Sequence, residues 1–525
     1  MRKLLLATIC LMCGISLVHA QQKQVNLNFD VQKFESQTLT VDGKTITVRA
    51  YENIVYVQHP VDTSVQKMNI YIPEEYFTGK SINGYTAATA PIFFPNKVGG
   101  YMPAQPASTK NNGMGGMPPM NGQFPPMGDK KPDGMPPMNG GMPPMNGGIP
   151  PMGFGGPRQN TVLVALSKGY IVASAGARGR TSKDANGIYT GKAPAAIADL
   201  KAAIRYLKFN DNNMPGDANK IISNGTSAGG AMSTLLGATG NNPDYEPYLK
   251  ALGAAAATDD IFAVSAYCPI INLENADMAY EWQFNGIHTY SRGGPMQGNA
   301  QGGSELTAAQ IAISAQLKAL FPAYINSLHL TDKNGKTLTL DKEGNGSFKE
   351  LVKAYVVASA QKALNAGTDM SPYAFLTIQN GKVTQIDFEA YVKYMQRQKT
   401  PTAFDALDLS NPETNLFGTA TINSQHFTDF GVAHATVASS QADAAIVKMM
   451  NPMPYIGQIN TTTAKHWRIR HGTKDKDTGL AISVILAARL QNNGIDVNLE
   501  LPWDKPHSGD YDLNELFSWT DSICK

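Results

Sequence analysis

Apolar and polar positions alternate through residues 25–73. The pattern runs through Val25-Asn26-Leu27-Asn28-Phe29, Thr38-Leu39-Thr40-Val41, Thr45-Ile46-Thr47-Val48 and Met68-Asn69-Ile70-Tyr71-Ile72-Pro73. A period of two puts every second side chain on one face, so these stretches predict antiparallel strands at a sheet edge, with Asp42-Gly43 as a hairpin turn. Ile92-Phe93-Phe94 and Tyr170-Ile171-Val172-Ala173-Ser174 are short, continuously apolar runs, as expected of strands buried on both faces. Helical patterns interleave with them: Val162–Ser167, and Ile197, Leu200, Ile204 and Leu207 on one face. Ile221-Ile222-Ser223 and Phe262–Tyr267 predict further strands. Residues 272–450 lose the rhythm and carry helical stretches at 308–320, 348–365 and 386–397. Regular alternation returns with a strand at His466–Arg470, a helix at 478–493, a strand at Val497–Leu501 and a last helix at 512–522. The class is α/β, with a doubly wound, mostly parallel sheet. Its core comprises 21–271 and 451–525, and 272–450 is a large helical insertion, read as a lid.

One junction carries chemistry. Gly225-Thr226-Ser227-Ala228-Gly229 follows an apolar strand and opens a small-residue helix. This is the G-x-S-x-G nucleophile elbow of α/β-hydrolases, a turn so sharp that glycine is needed on both flanks and the serine hydroxyl is left at the helix head. The five-residue pattern alone is common in a Gly-rich chain. The strand before it and the helix after it make it specific. Ala228 N–H would face a developing oxyanion. A second donor is expected after an early strand, and Asn96-Lys97-Val98-Gly99-Gly100-Tyr101 offers Val98 or Gly99. A serine needs a base and an acid that orients the base, later in the chain. Asp475, in His471-Gly472-Thr473-Lys474-Asp475, follows one late strand, and His507 follows the next. Asp477 is the rival acid, with a helix N-cap as its plain structural alternative.

Charge and cysteines narrow the setting. Arg2 and Lys3 followed by Leu4–Val18 and Val18-His19-Ala20 form a secretory leader cleaved after Ala20, so the expected location is secreted or periplasmic. Lys and Arg number 44 and Asp and Glu 42; with Arg2 and Lys3 in the leader, the mature chain balances at zero. Nothing here calls for nucleic acid or, after cleavage, a membrane. Cys268 and Cys524 remain, and their pairing is open, as is the oligomeric state. No metal-ligand spacing is present, and no cofactor is expected. Residues 105–157 form a loop insertion in which Met-Pro-Pro-Met-Asn-Gly recurs at 117–122, 135–140 and 142–147; such a segment builds neither a helix nor a core and is expected to be disordered.

These residues resemble those of the bacterial tannases, α/β-hydrolases that cleave galloyl esters. The resemblance rests on Pro95–Tyr101, Gly225–Gly230, Cys268-Pro269-Ile270, Gly472–Asp477 and, most specifically, Asn275-Ala276-Asp277-Met278-Ala279-Tyr280-Glu281-Trp282. It runs from about residue 60 to the C-terminus, apart from the Met-Pro-Gly loop. It implies a serine esterase with Ser227, Asp475 and His507 as its triad, and a small-molecule galloyl ester as substrate. Asp477, Lys399 and Glu413 would meet the galloyl hydroxyls; ordinary surface charge is the alternative for Lys399 and Glu413. Thr226 and Pro506 stand where fungal members carry linked cysteines, which favours the bacterial type. Two other readings remain: a feruloyl or general carboxylesterase with the same triad, and a non-catalytic binding protein on this fold.

Overall fold

The computed structural model describes residues 25–110, 159–291 and 303–525. The expected leader and the part of the Met-Pro-Gly insertion from 111 to 157 lie outside the described residues. Strands β1 (Glu35–Val41), β2 (Lys44–Ile54), β3 (Met68–Pro73), β4 (Pro91–Pro95), β5 (Ile171–Ala175), β6 (Asp217–Thr226) and β7 (Ala263–Tyr267) belong to one sheet. Between them run α1 (Thr161–Ser167), α2 (Ala195–Phe209), α3 (Ala228–Ala238) and α4 (Glu246–Leu252).

The chain then leaves the sheet. It forms α5 (Leu273–Phe284), the short strands β8 (Thr289–Tyr290) and β9 (Ser304–Glu305), α6 (Ala308–Ser327) and α7 (Ser347–Asn365). The hairpin β10 (Leu376–Gln379) and β11 (Lys382–Ile386) follows, then α8 (Phe388–Met395), α9 (Pro412–Leu416), α10 (Asp429–Ala433) and α11 (Ala444–Met449). It returns with β12 (His466–Arg470), α12 (Leu480–Asn492), β13 (Asp496–Glu500) and α13 (Leu513–Cys524).

The nine strands lie in the order β1-β2-β3-β5-β4-β6-β7-β12-β13. The first pairings are antiparallel and those from β5 onward are parallel. β12 pairs directly with β7, His466 opposite Ala263, as though the intervening segment were absent. The central strands β4, β5 and β7 are buried along their whole length, because helices cover both faces.

Two expectations change, and one open question is answered. Val25–Phe29 is not a strand. Asn210 takes the place of a neighbouring strand: its Oδ1 accepts from Phe29 N–H at 2.8 Å and its Nδ2 donates to Leu27 O at 2.9 Å. Leu27 and Phe29 still reach the core. The helix expected from Thr478 starts at Leu480 with Gly479 as its N-cap, so Asp477 does not cap it. Cys268 and Cys524 are both buried free thiols. No helix among the described residues is long and apolar enough to cross a membrane.

Candidate active site

Ser227 joins β6 to α3 with φ 61° and ψ −123°. A non-glycine residue there costs on the order of 1–3 kcal/mol, so the surroundings must hold it. They do so at both ends: Ser227 N–H donates to Tyr267 O at 3.0 Å, and Ser227 O accepts from Ile270 N–H at 3.3 Å. The glycines are sterically required. A Cβ on Gly225 would lie 2.2 Å from Gly229 O, and one on Gly229 would lie 2.8 Å from both Val98 O and Asn96 Oδ1. Asn96 pins the early loop to this turn, donating from Nδ2 to Gly229 O and Ser233 Oγ, each at 3.0 Å. Ala228 N–H heads α3, where no intrahelical acceptor exists. Of the two other expected donors, Val98 N–H lies 3.4 Å from Asn96 Oδ1, whereas Gly99 N–H makes no hydrogen bond among the described residues.

The expected acid and base meet. His507 Nδ1 lies 2.8 Å from Asp475 Oδ2, and Asp475 Oδ1 accepts from Asp477 N–H at 2.9 Å. Asp475 is fully buried. Burial opposes its charge, but His507 and the Asp477 N–H outweigh it and hold the carboxyl down at about 2. Burial likewise opposes an imidazolium at His507, and the Asp475 charge overrides it, so His507 stands well above the ordinary imidazole range. A second imidazole, His471 Nε2, lies 3.6 Å from Asp475 Oδ2; burial pushes its pKa down. Among the described residues the Ser227 hydroxyl makes no hydrogen bond, and His507 Nε2 faces Cys268 Sγ at 3.9 Å. Catalytic hydrogen bonds are often loose before substrate arrives.

The three expected ring-binding residues gather beside this pair. Asp477 Oδ2 lies 3.2 Å from Lys399 Nζ, and Nζ sits 4.1 Å above the Phe404 ring. Glu413, at the start of α9, is buried close enough to feel the charges of Lys399, Asp477 and Arg180. Burial pushes its carboxyl up to about 7. Arg180 ties this corner to the early loop, donating from Nε to Gly100 O at 2.9 Å and from Nη1 to Asn415 Oδ1 at 2.9 Å.

Lys399 lies on an irregular segment, and α5 holds that segment in place. Glu281 forms a bidentate pair with Arg397, both side chains fully buried, while Arg397 Nε donates to Lys399 O at 2.6 Å. Tyr280 Oη accepts from Lys399 N–H at 3.0 Å. Asp277 accepts from Phe404 N–H at 2.8 Å and Asp405 N–H at 2.9 Å. Three of the eight residues in the specific sequence run thus fix the backbone around Lys399.

Known proteins resemble this chain. The BD-FAE family model matches residues 153–300, which contain the elbow. A 71-residue match to Esterase LipC of Mycobacterium tuberculosis is 37% identical but spans 14% of this chain and 17% of LipC. Full-length likeness comes from solved structures. Native tannin acyl hydrolase from Lactobacillus plantarum is 46% identical, with a TM-score of 0.84 over 95% of this chain and 99% of that one. Fusobacterium nucleatum tannase is 48% identical, with a TM-score of 0.83 over 95% and 100%. A tannin acyl hydrolase solved in complex with ethyl gallate is 46% identical, with a TM-score of 0.82 over 95% and 99%. The chain belongs to the tannin acyl hydrolase family.

For a tannin acyl hydrolase, the sequence signals left several residues unassigned. Arg180 and Arg397 gave no local cue, and Asn96 stood in the quoted oxyanion loop without a role, since their partners are distant in sequence. Cys268 stood inside a quoted motif, but its approach to His507 spans 239 positions.

Proposed function

We propose that this protein hydrolyses galloyl esters to gallic acid and an alcohol through an acyl-enzyme on Ser227. One observation carries the reading: two carboxylates two residues apart on one loop divide the work, Asp475 on His507 and Asp477 on Lys399. Base and ring recognition therefore share one backbone. His507 Nε2 accepts the Ser227 proton as the hydroxyl attacks the ester carbonyl, and Asp475 stabilises the imidazolium that forms. Ala228 N–H, with Gly99 or Val98 N–H, receives the oxyanion. His507 then protonates the leaving alcohol, and water repeats the sequence on the acyl-enzyme. Galloyl phenols donate to Asp477 and Glu413 and accept from Lys399, and rings lacking them give up these contacts and leave the buried Glu413 carboxyl without a partner. The helical segment 272–450 supplies Lys399 and Glu413 and acts as the lid. The leader sequence supports a secreted or periplasmic location.

The test is a comparison of methyl gallate, methyl ferulate and a short p-nitrophenyl ester. Methyl gallate should be preferred in kcat/KM by about a hundredfold over methyl ferulate, and Ser227→Ala should abolish all three activities while the thermal unfolding transition is kept. Equal rates on the gallate and ferulate esters would return the protein to the broader carboxylesterases. A Ser227→Ala variant that retains activity would overturn the nucleophile.

A further inference from the structure

His507 has a neighbour that ester hydrolysis does not require. Cys268 follows β7 directly. Its Sγ lies 3.9 Å from His507 Nε2, and the ligand atoms of Cys268, His507 and Asp475 all fall within 4.8 Å of one another. We propose that Cys268 and His507 form an inhibitory site for a thiophilic divalent cation of the Zn²⁺ or Cd²⁺ type, with Asp475 as its outer carboxylate.

Three features of the geometry support this. A cation bonded to sulfur at about 2.3 Å and to imidazole nitrogen at about 2.0–2.1 Å, bridging a 3.9 Å gap, subtends an angle of roughly 127°, and a small approach of sulfur to nitrogen brings it to tetrahedral. The two side chains need little movement. Asp475 accepts from His507 Nδ1, so the neutral imidazole keeps its Nε2 lone pair on the Cys268 side. This carboxylate–histidine arrangement is the one that orients imidazole ligands in zinc sites. A general base and a metal ligand ask the same of a histidine. Finally, sulfur selects the cation. A hard ion such as Mg²⁺ gains nothing from Cys268, whereas a soft or borderline ion does.

Access comes from the imidazole side. The His507 side chain is 24% exposed, whereas Cys268 is buried beneath it. Cys524 provides an internal comparison. It is also a buried free thiol, but it ends α13 beside Lys220 and Asp217, with no imidazole against it among the described residues. Metal binding replaces the thiol S–H bond with a metal–sulfur bond and releases that proton to solvent, together with the imidazole proton where one is present. With Nε2 occupied, His507 cannot take the Ser227 proton, so turnover stops. That effect on turnover rests on His507 being the base, whereas binding itself does not.

The experiment reads binding and activity separately on the full mature chain. Co²⁺ is titrated into the wild type, Cys268→Ala and Cys524→Ala, and the thiolate-to-cobalt absorption is followed. Inhibition of p-nitrophenyl ester hydrolysis by Zn²⁺ and Cd²⁺ is measured for each, relative to that variant's own metal-free rate. The thiolate band is expected in the wild type and in Cys524→Ala but not in Cys268→Ala. The half-inhibiting concentration should rise by about tenfold or more in Cys268→Ala alone. A band that survives Cys268→Ala, or equal inhibition of all three proteins, overturns the site. A Cys268-dependent band without inhibition of the wild type overturns inhibition and the role of His507 as base, and leaves the binding intact. If Cys268→Ala fails to fold, Cys268→Ser keeps the volume, and the same loss of the band is required of it.

Discussion

Glu281 and Arg397 form a fully buried bidentate pair whose guanidinium reaches on to the carbonyl of Lys399. Under the proposed function the pair would act on ring recognition through Lys399, without touching substrate. Breaking one side strands a buried charge, and such losses cost about 3–5 kcal/mol in stability. Glu281→Gln keeps the shape and part of the hydrogen bonding. We expect it to raise KM for methyl gallate by about tenfold and to leave kcat/KM for a p-nitrophenyl ester within about twofold. Equal losses on both substrates would show that the pair only supports the fold.

The acid should set the pH profile as well as the rate. Asp475 holds the His507 pKa above its ordinary value, so a His507 that must be neutral becomes competent only as pH rises through that raised value. Asp475→Asn removes the charge. The acidic limb of kcat/KM should therefore move to lower pH, while the plateau falls on the order of 10⁴-fold through misorientation of the ring. A limb that moves upward would contradict the assignment.

Glu413 offers a sharper pH test. Burial places its carboxyl at about 7, so below that pH it is mostly neutral and resembles a glutamine, and above it the carboxylate accepts from the phenols without competing as a donor. Glu413→Gln should cost little in kcat/KM for methyl gallate at pH 6 and about ten- to a hundredfold at pH 8. A penalty independent of pH would mean that Glu413 does not change ionisation in that range.

Shortening the Met-Pro-Gly insertion should be tolerated, because the described residues flanking it are already joined. Asn160 Nδ2 donates to Ser108 O at 3.2 Å and to Thr109 O at 3.5 Å, and Asn160 Oδ1 caps α1. Deletion of residues 112–153 should leave the melting temperature within a few degrees, roughly the effect of 1 kcal/mol on a chain of this size. Loss of a cooperative transition in calorimetry would refute this.

What the sequence revealed follows from how local each signal is. The elbow, the strand before it, the helix after it and the placement of Asp475 and His507 after successive late strands are local patterns, and each is present in the structure. The approach of Lys399 to Asp477 was accessible only through resemblance, since no periodicity links an irregular segment of the helical insertion to a loop in the core. The clamp by Asp277, Tyr280 and Glu281 was present in the sequence only as a distinctive string, and its meaning lay in partners more than a hundred positions away. Val25–Phe29 shows the opposite failure. Its alternation is real, but a single asparagine side chain satisfies the backbone that a strand would have paired.

The direct pairing of β12 with β7 also orders events in time. During synthesis, β6, its serine and β7 are complete while the whole helical segment is still to come. Asp475 and His507 arrive only with residues 466–525, and the pairing that docks them closes a loop of nearly two hundred residues, a slow kind of contact. Until those residues are made, the Ser227 hydroxyl has no base to activate it. Catalytic competence arrives in one late step, when the last strands zip onto an otherwise finished sheet. A chain truncated before β12 would be inert, however well its first half folded.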